Sequence, residues 1–359
     1  MVKTYKNILN AMPDGVFTFD NKLCIQFMNT AFRRAFSVMK KRKRLPEVLS
    51  CGETAPCGDG KQCAYCAFYR VMQRAVQTGT EQAETMQTSV KHADRTDNLS
   101  VRIRVFPADE KGKLFVGITD VSFQSAMERE LLSAKQIQQR LLPAGKSKGG
   151  IPYAYIYIPH YDVGGDMPDV YQLGDDVYGV ITDVSGKGIS AGLLSAFVKA
   201  AFDKKQENLG LALRTLTAKF QELNQDERAY ITLAAVRIQP KTNTLKYAFA
   251  GHNAPILLKT AEGIHEIETP APPISTWQPD FAYQERELPY EKGNILVLMT
   301  DGVTECVNAK GEMFGIERVE SVLLQSHSAD DFMGKLKSAL GVFSGGTFSD
   351  DVTALAFDL

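Results

Sequence analysis

Three strand-like runs of this chain carry carboxylates at one end. "VYGVITDVSGKG" (177–188) reaches Asp183, "NILVLMTDGVTE" (294–305) reaches Asp301-Gly302, and "SDDVTALAFDL" (349–359) opens on Asp350-Asp351. An acid at the end of one strand and an acid at the start of an antiparallel neighbour lie on the same edge of a sheet. Asp183, Asp301 and Asp350/Asp351 are therefore expected to converge. "YDVGGDMPD" (161–169) adds Asp166 and Asp169 beside a glycine pair that permits close backbone approach. Gathered carboxylates repel one another until protons or cations neutralise them. With oxygen ligands and no nearby histidine cluster, the fitting cations are Mg²⁺ or Mn²⁺. Two such ions sharing a carboxylate activate water for in-line attack on phosphorus. Singly, an Asp before Gly is a turn residue; recurrence at three strand ends is what points to a site.

Other phosphate chemistries fail on spacing. A nucleotide-binding P-loop needs Gly five residues before Gly186 and Ser or Thr after Lys187, where this chain has Ile181 and Gly188. A cysteine-phosphatase loop ending on Arg70 needs Cys at Ala64. "VGGDMPD" resembles the Gly-Gly-Asp-Glu-Phe of nucleotide cyclases, but Met167-Pro168 replace Glu-Phe, and it falls too early in its domain.

The elements that must position the acids follow from patterning. Strand-like runs recur from residue 151 onward: "YAYIYIP", "DVYGVITD", "YITLAAVRI", "TLKYAFAG", "APILLKT", "NILVLMTD" and "DVTALAFDL". Helical stretches at 189–204, 208–225 and 316–340 interrupt them. Several strands adjoin without an intervening helix, which predicts antiparallel sheets covered by helices, an α+β class. At the other end, "GVFTFD" and "CIQFMN" read as a hairpin, and "NLSVRIRVFPA" and "GKLFVGITDVS" as two later strands. Residues 122–143 read as a connecting helix stopped by Pro143, with Met127, Leu131, Ala134 and Leu141 on one face and Gln138 breaking the stripe. "AGKSKGG" (144–150) is a flexible joint. The expected organisation is a sensor-sized domain over 1–121, a linker helix over 122–143, and a second domain over 150–359.

The motifs "LLSAKQIQQRLLP", "DVGGDMPD", "TDVSGKGISAGLLSA", "YITLAAVRI", "YAFAGHNAPILL", "LMTDGVTECVNAKGEMFGIERV" and "FSDDVTALAF", in that order, resemble a PPM-type, metal-dependent serine/threonine phosphatase of the bacterial SpoIIE/RsbU class. The resemblance covers roughly 128–359. It implies an αββα sandwich with two Mn²⁺ or Mg²⁺ at one edge. It implies that Asp183 bridges both metals, that the carbonyl of Val184 supports one, and that Asp301 and Asp350 bind the other. Asp166 would hold the surrounding water network, with Asp351 next in line if the register shifts. Gly186 and Gly188 would let the turn pass close to the ions. Lys187 reads as a surface lysine, His252 as structural and Glu305 as a helix-start residue. The implied substrate is a phosphorylated STAS-type anti-sigma-factor antagonist. The class usually has an aromatic after Gly-Gly-Asp; Met167-Pro168 removes a backbone donor there. That departure sustains an alternative, a catalytically weak module that only docks a partner. Residues 8–36, "ILNAMPDGVFTFDNKLCIQFMNTAFRRAF", with the closing "GITDVS", resemble a PAS sensor domain.

Cys51, Cys57, Cys63 and Cys66 lie within sixteen residues, spaced C-x5-C-x5-C-x2-C. Such a set suits one tetrahedral Zn²⁺ or an iron–sulfur cluster, a redox-switching thiol group, or buried free cysteines. The formal net charge of −1 argues against general attraction to nucleic acid or anionic lipid, and "KKRKR" (40–44) reads as a solvated loop. No apolar run approaches the length of a membrane span, and the N-terminus lacks a signal-peptide pattern. A cytoplasmic protein is expected, with a homodimer through the linker helix as an option.

Overall fold

The computed structural model describes residues 2–19, 25–36, 67–91, 96–107 and 114–359. The four clustered cysteines and the basic run at 40–44 lie outside the described residues. The chain divides into two compact units, Met1–Glu130 and Leu131–Leu359.

The first unit runs α1 (Val2–Ala11), β1 (Gly15–Phe19), β2 (Ile25–Met28), α2 (Thr30–Ala35), α3 (Ala67–Thr78), β3 (Gln82–Lys91), β4 (Thr96–Pro107) and β5 (Leu114–Asp120). Its five strands form one antiparallel sheet in the order β2-β1-β5-β4-β3. The hairpin and the later strand pair are as expected; β3 and α3 are additions. Phe17, Ile25, Phe32, Val71, Ile103 and Val116 share its core. Asn29 is fully buried and fully used: its Oδ1 accepts from Phe32 N, capping α2, and from Val16 N, while Nδ2 donates to the carbonyls of Leu9 and Asp14.

Helix α4 (Ser122–Leu141) follows. It ends two residues before Pro143, because proline disfavours helical geometry in the residue it follows. The expected apolar stripe is not what the helix buries. Met127 is half exposed, Leu131, Ala134 and Leu141 are only partly covered, and the buried residue is Gln138.

The second unit continues with β6 (Ser147–Lys148), β7 (Ile151–Ile158), β8 (Met167–Leu173), β9 (Asp176–Val184), α5 (Ile189–Ala201), α6 (Leu209–Gln221), β10 (Tyr230–Gln239), β11 (Thr244–Ala250), β12 (Ile256–Lys259), β13 (Ile264–Ile267), β14 (Ile274–Ser275), β15 (Arg286–Pro289), β16 (Ile295–Met299), α7 (Asp301–Thr304), α8 (Ile316–Leu324), α9 (Ala329–Ser344) and β17 (Val352–Asp358). One sheet has the order β15-β11-β10-β9-β8, with β14 also paired to β10; the other has the order β13-β12-β16-β17-β7-β6.

Period-two alternation explains why the central strands read as continuous apolar runs. On β10, Ala234, Val236 and Ile238 enter a core shared with Leu296 and Leu298 of β16 and Leu355 and Phe357 of β17. The intervening Ile231, Leu233 and Ala235 meet Leu213, Leu216 and Phe220 of α6. Val297 and Met299 of β16 and Ala354 of β17 face Val319 of α8 and Phe332 and Leu336 of α9. Two sheets thus pack face to face with helices on both outer faces, the αββα sandwich that the resemblance implies. Gly179 permits the close approach of the sheets: a Cβ there would stand 2.6 Å from the Phe357 ring. The single helix expected over 316–340 is two. Ser328 breaks it, its hydroxyl accepting from Asp331 N (3.1 Å) while the Asp331 carboxylate accepts from His327 N (2.9 Å).

Candidate active site

Both sheets bring acids to one edge of the sandwich. Strands β8 and β9 pair with Met167 opposite Thr182, so Asp166 and Asp183 occupy the adjoining rung at the mouth of the sheet. Strands β16 and β17 pair with Met299 opposite Ala354, and Thr300 N donates to Thr353 O at 2.9 Å. Asp301 therefore emerges beside Asp350 and Asp351. The approach is so close that a Cβ on Gly302 would stand 1.9 Å from the Asp351 carbonyl oxygen.

Two links tie the sheets together at this edge. Thr300 Oγ donates to Asp166 Oδ2 at 2.7 Å, and Gly165 N donates to Asp351 Oδ2 at 2.6 Å. The other Asp351 oxygen accepts from His160 N at 2.7 Å. Asp351 thus holds the backbone of the Gly164–Asp166 loop, whereas Asp350, its more exposed neighbour, faces the cluster. Both precede β17, and their partners separate the two roles: Lys187 for Asp350, and the loop N–H groups for Asp351. On the β9 side, a Cβ on Gly165 would lie 2.9 Å from the Val184 carbonyl. Gly186 and Gly188 have φ of 96° and 77°, a region that glycine enters without strain.

The electrostatics follow from this crowding. Burial, then the charges of Asp183 and Asp351, hold the Asp166 carboxyl well above the usual carboxylate range, opposed by the hydroxyls of Thr300 and Thr353. Asp183 is pushed up to about 7 by burial and by Asp301, Asp350 and Asp351, with a hydrogen bond from Asp166 opposing the rise. Glu305 is raised by burial and by Asp301 and Asp350. It caps the C-terminal end of α7, its N donating to Asp301 O, rather than starting a helix. The Lys187 ammonium sits 2.9 Å from Asp350 Oδ2 and 2.8 Å from Ser349 O, paired rather than merely solvated. His252 is partly buried and sits 2.8 Å from the Met299 carbonyl through Nε2, and burial of its ring lowers its pKa.

Asp169 does not join the cluster. It lies on the opposite face of β8, where it pairs with Lys199 and Lys204. Met167-Pro168 does not disturb the strand: the register runs unbroken from Met167 to Leu173, and β8 is an edge strand, where proline is tolerated. Two contributors escaped the sequence reading. Thr300 carries a signal, a hydroxyl one residue before the acid of a buried strand. Tyr157 carries none; its hydroxyl donates to Gln138 Oε1 at 2.7 Å, and burial beside Asp351 and Asp166 raises its pKa.

Among the described residues, no three acidic, histidine or cysteine side chains already close on a single point tightly enough to hold an ion. The donor set nevertheless fits a hard divalent cation. It is oxygen-only, it carries surplus negative charge, and burial and like charge push the carboxyls of Asp166 and Asp183 up.

Residues 174–359 match the family model described as Stage II sporulation protein E (SpoIIE). The chain is 26% identical to phosphoserine phosphatase RsbU of Bacillus subtilis over 241 residues, which are 65% of this chain and 70% of that protein. It is 29% identical to phosphoserine phosphatase RsbP of the same organism over 193 residues, 51% of this chain and 47% of that protein, so it spans about half of the length of RsbP. Among solved structures, the SiaA-PP2C domain of Pseudomonas aeruginosa superposes with a TM-score of 0.59 at 20% identity, covering 67% of this chain and 99% of that domain. At that identity the likeness concerns the fold.

Proposed function

The chain belongs to the SpoIIE family, and from that premise we propose that its second unit is a metal-dependent serine/threonine phosphatase acting on a phosphorylated protein. The observation that carries the reading is the sharing of one edge by Asp166 and Asp183 from one sheet and Asp301, Asp350 and Asp351 from the other, with Asp166 and Asp183 both driven toward protonation. Asp183, the Val184 carbonyl, Asp301 and Asp350 would hold two Mn²⁺ or Mg²⁺. When bound, such ions supply Lewis acidity and a nucleophile at neutral pH. The chain's own groups do the rest. Asp166 is oriented by Thr300 and stands next to Asp183, where its carboxylate would face the ions and the water network around them. Asp351 fixes the loop that carries Asp166. The unbroken register through Pro168 favours the catalytic reading over a merely docking module.

The substrate we propose is a phosphoserine or phosphothreonine on a STAS-type anti-sigma-factor antagonist, as the resemblance to the RsbU class implies. The antiparallel sheet order of the first unit supports reading it as a PAS-like sensor over 1–121, with the 122–143 segment as the relay to the phosphatase domain over 150–359. Exposed Phe123, Met127, Leu132 and Ile137 on α4 support pairing of two copies through that helix. Among the described residues, no helix is long and apolar enough to cross a membrane; a cytoplasmic location is part of the proposal. The test is phosphate release from a phosphoserine protein by the full chain. Release should require Mn²⁺ or Mg²⁺ and be lost in Asp183→Asn with folding intact. Release that continues in excess chelator, or in folded Asp183→Asn, would overturn it.

A further inference from the structure

Helix α4 is open to solvent over most of its length, yet it buries an amide. Gln138 is 4% exposed, while its neighbour Ile137 is 62% exposed. A buried amide is costly unless its polar atoms are matched, and here both ends are used. Oε1 accepts from Gly164 N (3.1 Å) and from the Tyr157 hydroxyl (2.7 Å). Nε2 donates to Gly164 O (2.7 Å) and to Ser195 Oγ (3.3 Å). The side chain reads one residue, Gly164, at both its N–H and its C=O. That fixes which way the amide points, because the Gly164 N–H can only donate and its carbonyl can only accept.

The place is tight on every side. A Cβ on Gly164 would meet Asp351 Oδ2 at 2.8 Å and the Tyr157 hydroxyl at 2.9 Å. A Cβ on Gly192 of α5 would meet Val163 at 2.2 Å and Gln138 Nε2 at 3.4 Å. So α4, α5, β7 and the Gly164–Asp166 loop meet at this amide. Gln138 holds residue 164, Asp351 holds the N–H groups of 165 and 166, and the next group along is the Asp166 carboxyl.

Building on the phosphatase reading, we propose that Gln138 is a positioning residue for Asp166: it clamps the Gly164 peptide so that the loop presents its carboxylate to a divalent cation at the sheet edge. Gln138 touches neither the cation nor the substrate. It acts through the backbone two residues from the acid, as outer partners of metal ligands do.

The full chain, stripped with chelator, is titrated with Mn²⁺ in a calorimeter, and thermal unfolding is followed in parallel. Gln138→Met keeps the length of the side chain and removes its hydrogen bonds. It should weaken Mn²⁺ binding by about tenfold to a hundredfold, the range for outer partners of metal ligands. Hydrolysis by this variant should recover as Mn²⁺ is raised. Tyr157→Phe, which leaves Gln138 in place but removes one donor, should weaken binding by a smaller factor in the same direction. Gln136→Ala, at an exposed position of the same helix that the pairing surface does not use, should change neither affinity nor rate. Unchanged Mn²⁺ affinity in folded Gln138→Met overturns the proposal; should that variant not fold, unchanged affinity in Tyr157→Phe does so. A wild-type chain that binds Mn²⁺ but releases no phosphate refutes the phosphatase reading and leaves the Gln138 comparison standing. A wild-type chain that binds no Mn²⁺ overturns both.

Discussion

Asp183 shows what the cluster costs the protein that carries it. A partly buried carboxyl crowded by three others has its pKa pushed up to about 7, and at alkaline pH the fold must bear the charge. Asp183→Asn removes that charge while keeping nearly the same shape. It should raise the thermal midpoint of the metal-free protein at pH 8, abolish the stabilisation that Mn²⁺ gives, and reduce phosphate release by roughly a thousandfold, the scale of several kcal/mol of lost transition-state stabilisation. Calorimetry with and without Mn²⁺ reads the first two effects and a phosphate assay the third. A destabilised Asn variant would contradict the electrostatic account. Thr300 makes the complementary case. Its buried hydroxyl donates to Asp166 Oδ2 and accepts from Thr353 N at 3.2 Å. Thr300→Val removes both of these bonds, for a loss of about 1–3 kcal/mol measurable by denaturant unfolding.

At the scale of elements, the site exists because one strand ends where its neighbour begins, with almost no space between them. Gly302, the second residue of α7, lies directly against Asp351, which leads into β17. Gly302→Ala places a methyl group into the Asp351 carbonyl, so the two segments must part, and Asp301 parts from Asp350 with them. Overpacking of this kind costs about 1–3 kcal/mol. The expected result is a lower unfolding midpoint together with weaker Mn²⁺ binding. A midpoint shift with unchanged binding would show that the acids do not depend on this contact. The strand ends themselves were legible in the sequence, since apolar runs closing on Asp are visible without any tertiary knowledge. What escaped depends on contacts between segments far apart in the chain. A proline inside "MPDVYQL" argues against a central strand, and only the edge position of β8 reconciles the two. Helical periodicity marked Gln138 as an interruption but could not show that a distant glycine peptide was its partner. Two adjacent acids, Asp350 and Asp351, are equivalent on paper; the bend before β17 gives one to the cluster and the other to the loop. The break at Ser328 was hidden because apolar spacing runs on across it, while the cap that ends the helix is local and polar.

Among the described residues the cores are separate: one made of residues between Phe17 and Ile118, and three made of residues from Ile151 onward. Units with their own cores tend to unfold as separate cooperative transitions, and the acid cluster belongs to the second. Its pH dependence follows from Asp183 and Asp166, whose pKa values are higher in the folded chain than in an unfolded one. The folded state then binds more protons, so the contribution is fully present below about pH 4 and is lost as pH rises through about 7. In chelator, the transition of the second unit should therefore move to lower temperature between pH 5 and pH 8, while that of the first unit is set by groups outside this cluster. Mn²⁺ replaces the lost protons. At a hundred times its dissociation constant it should return about 2.7 kcal/mol to the second unit alone, and should do so at pH 8 more than at pH 5, where protons compete for the same oxygens. Differential scanning calorimetry across pH with and without Mn²⁺ measures both dependences. A Mn²⁺ effect that is equal at the two pH values, or one that moves the first unit's transition by the same amount, would contradict the assignment of metal and protons to one shared set of carboxylates.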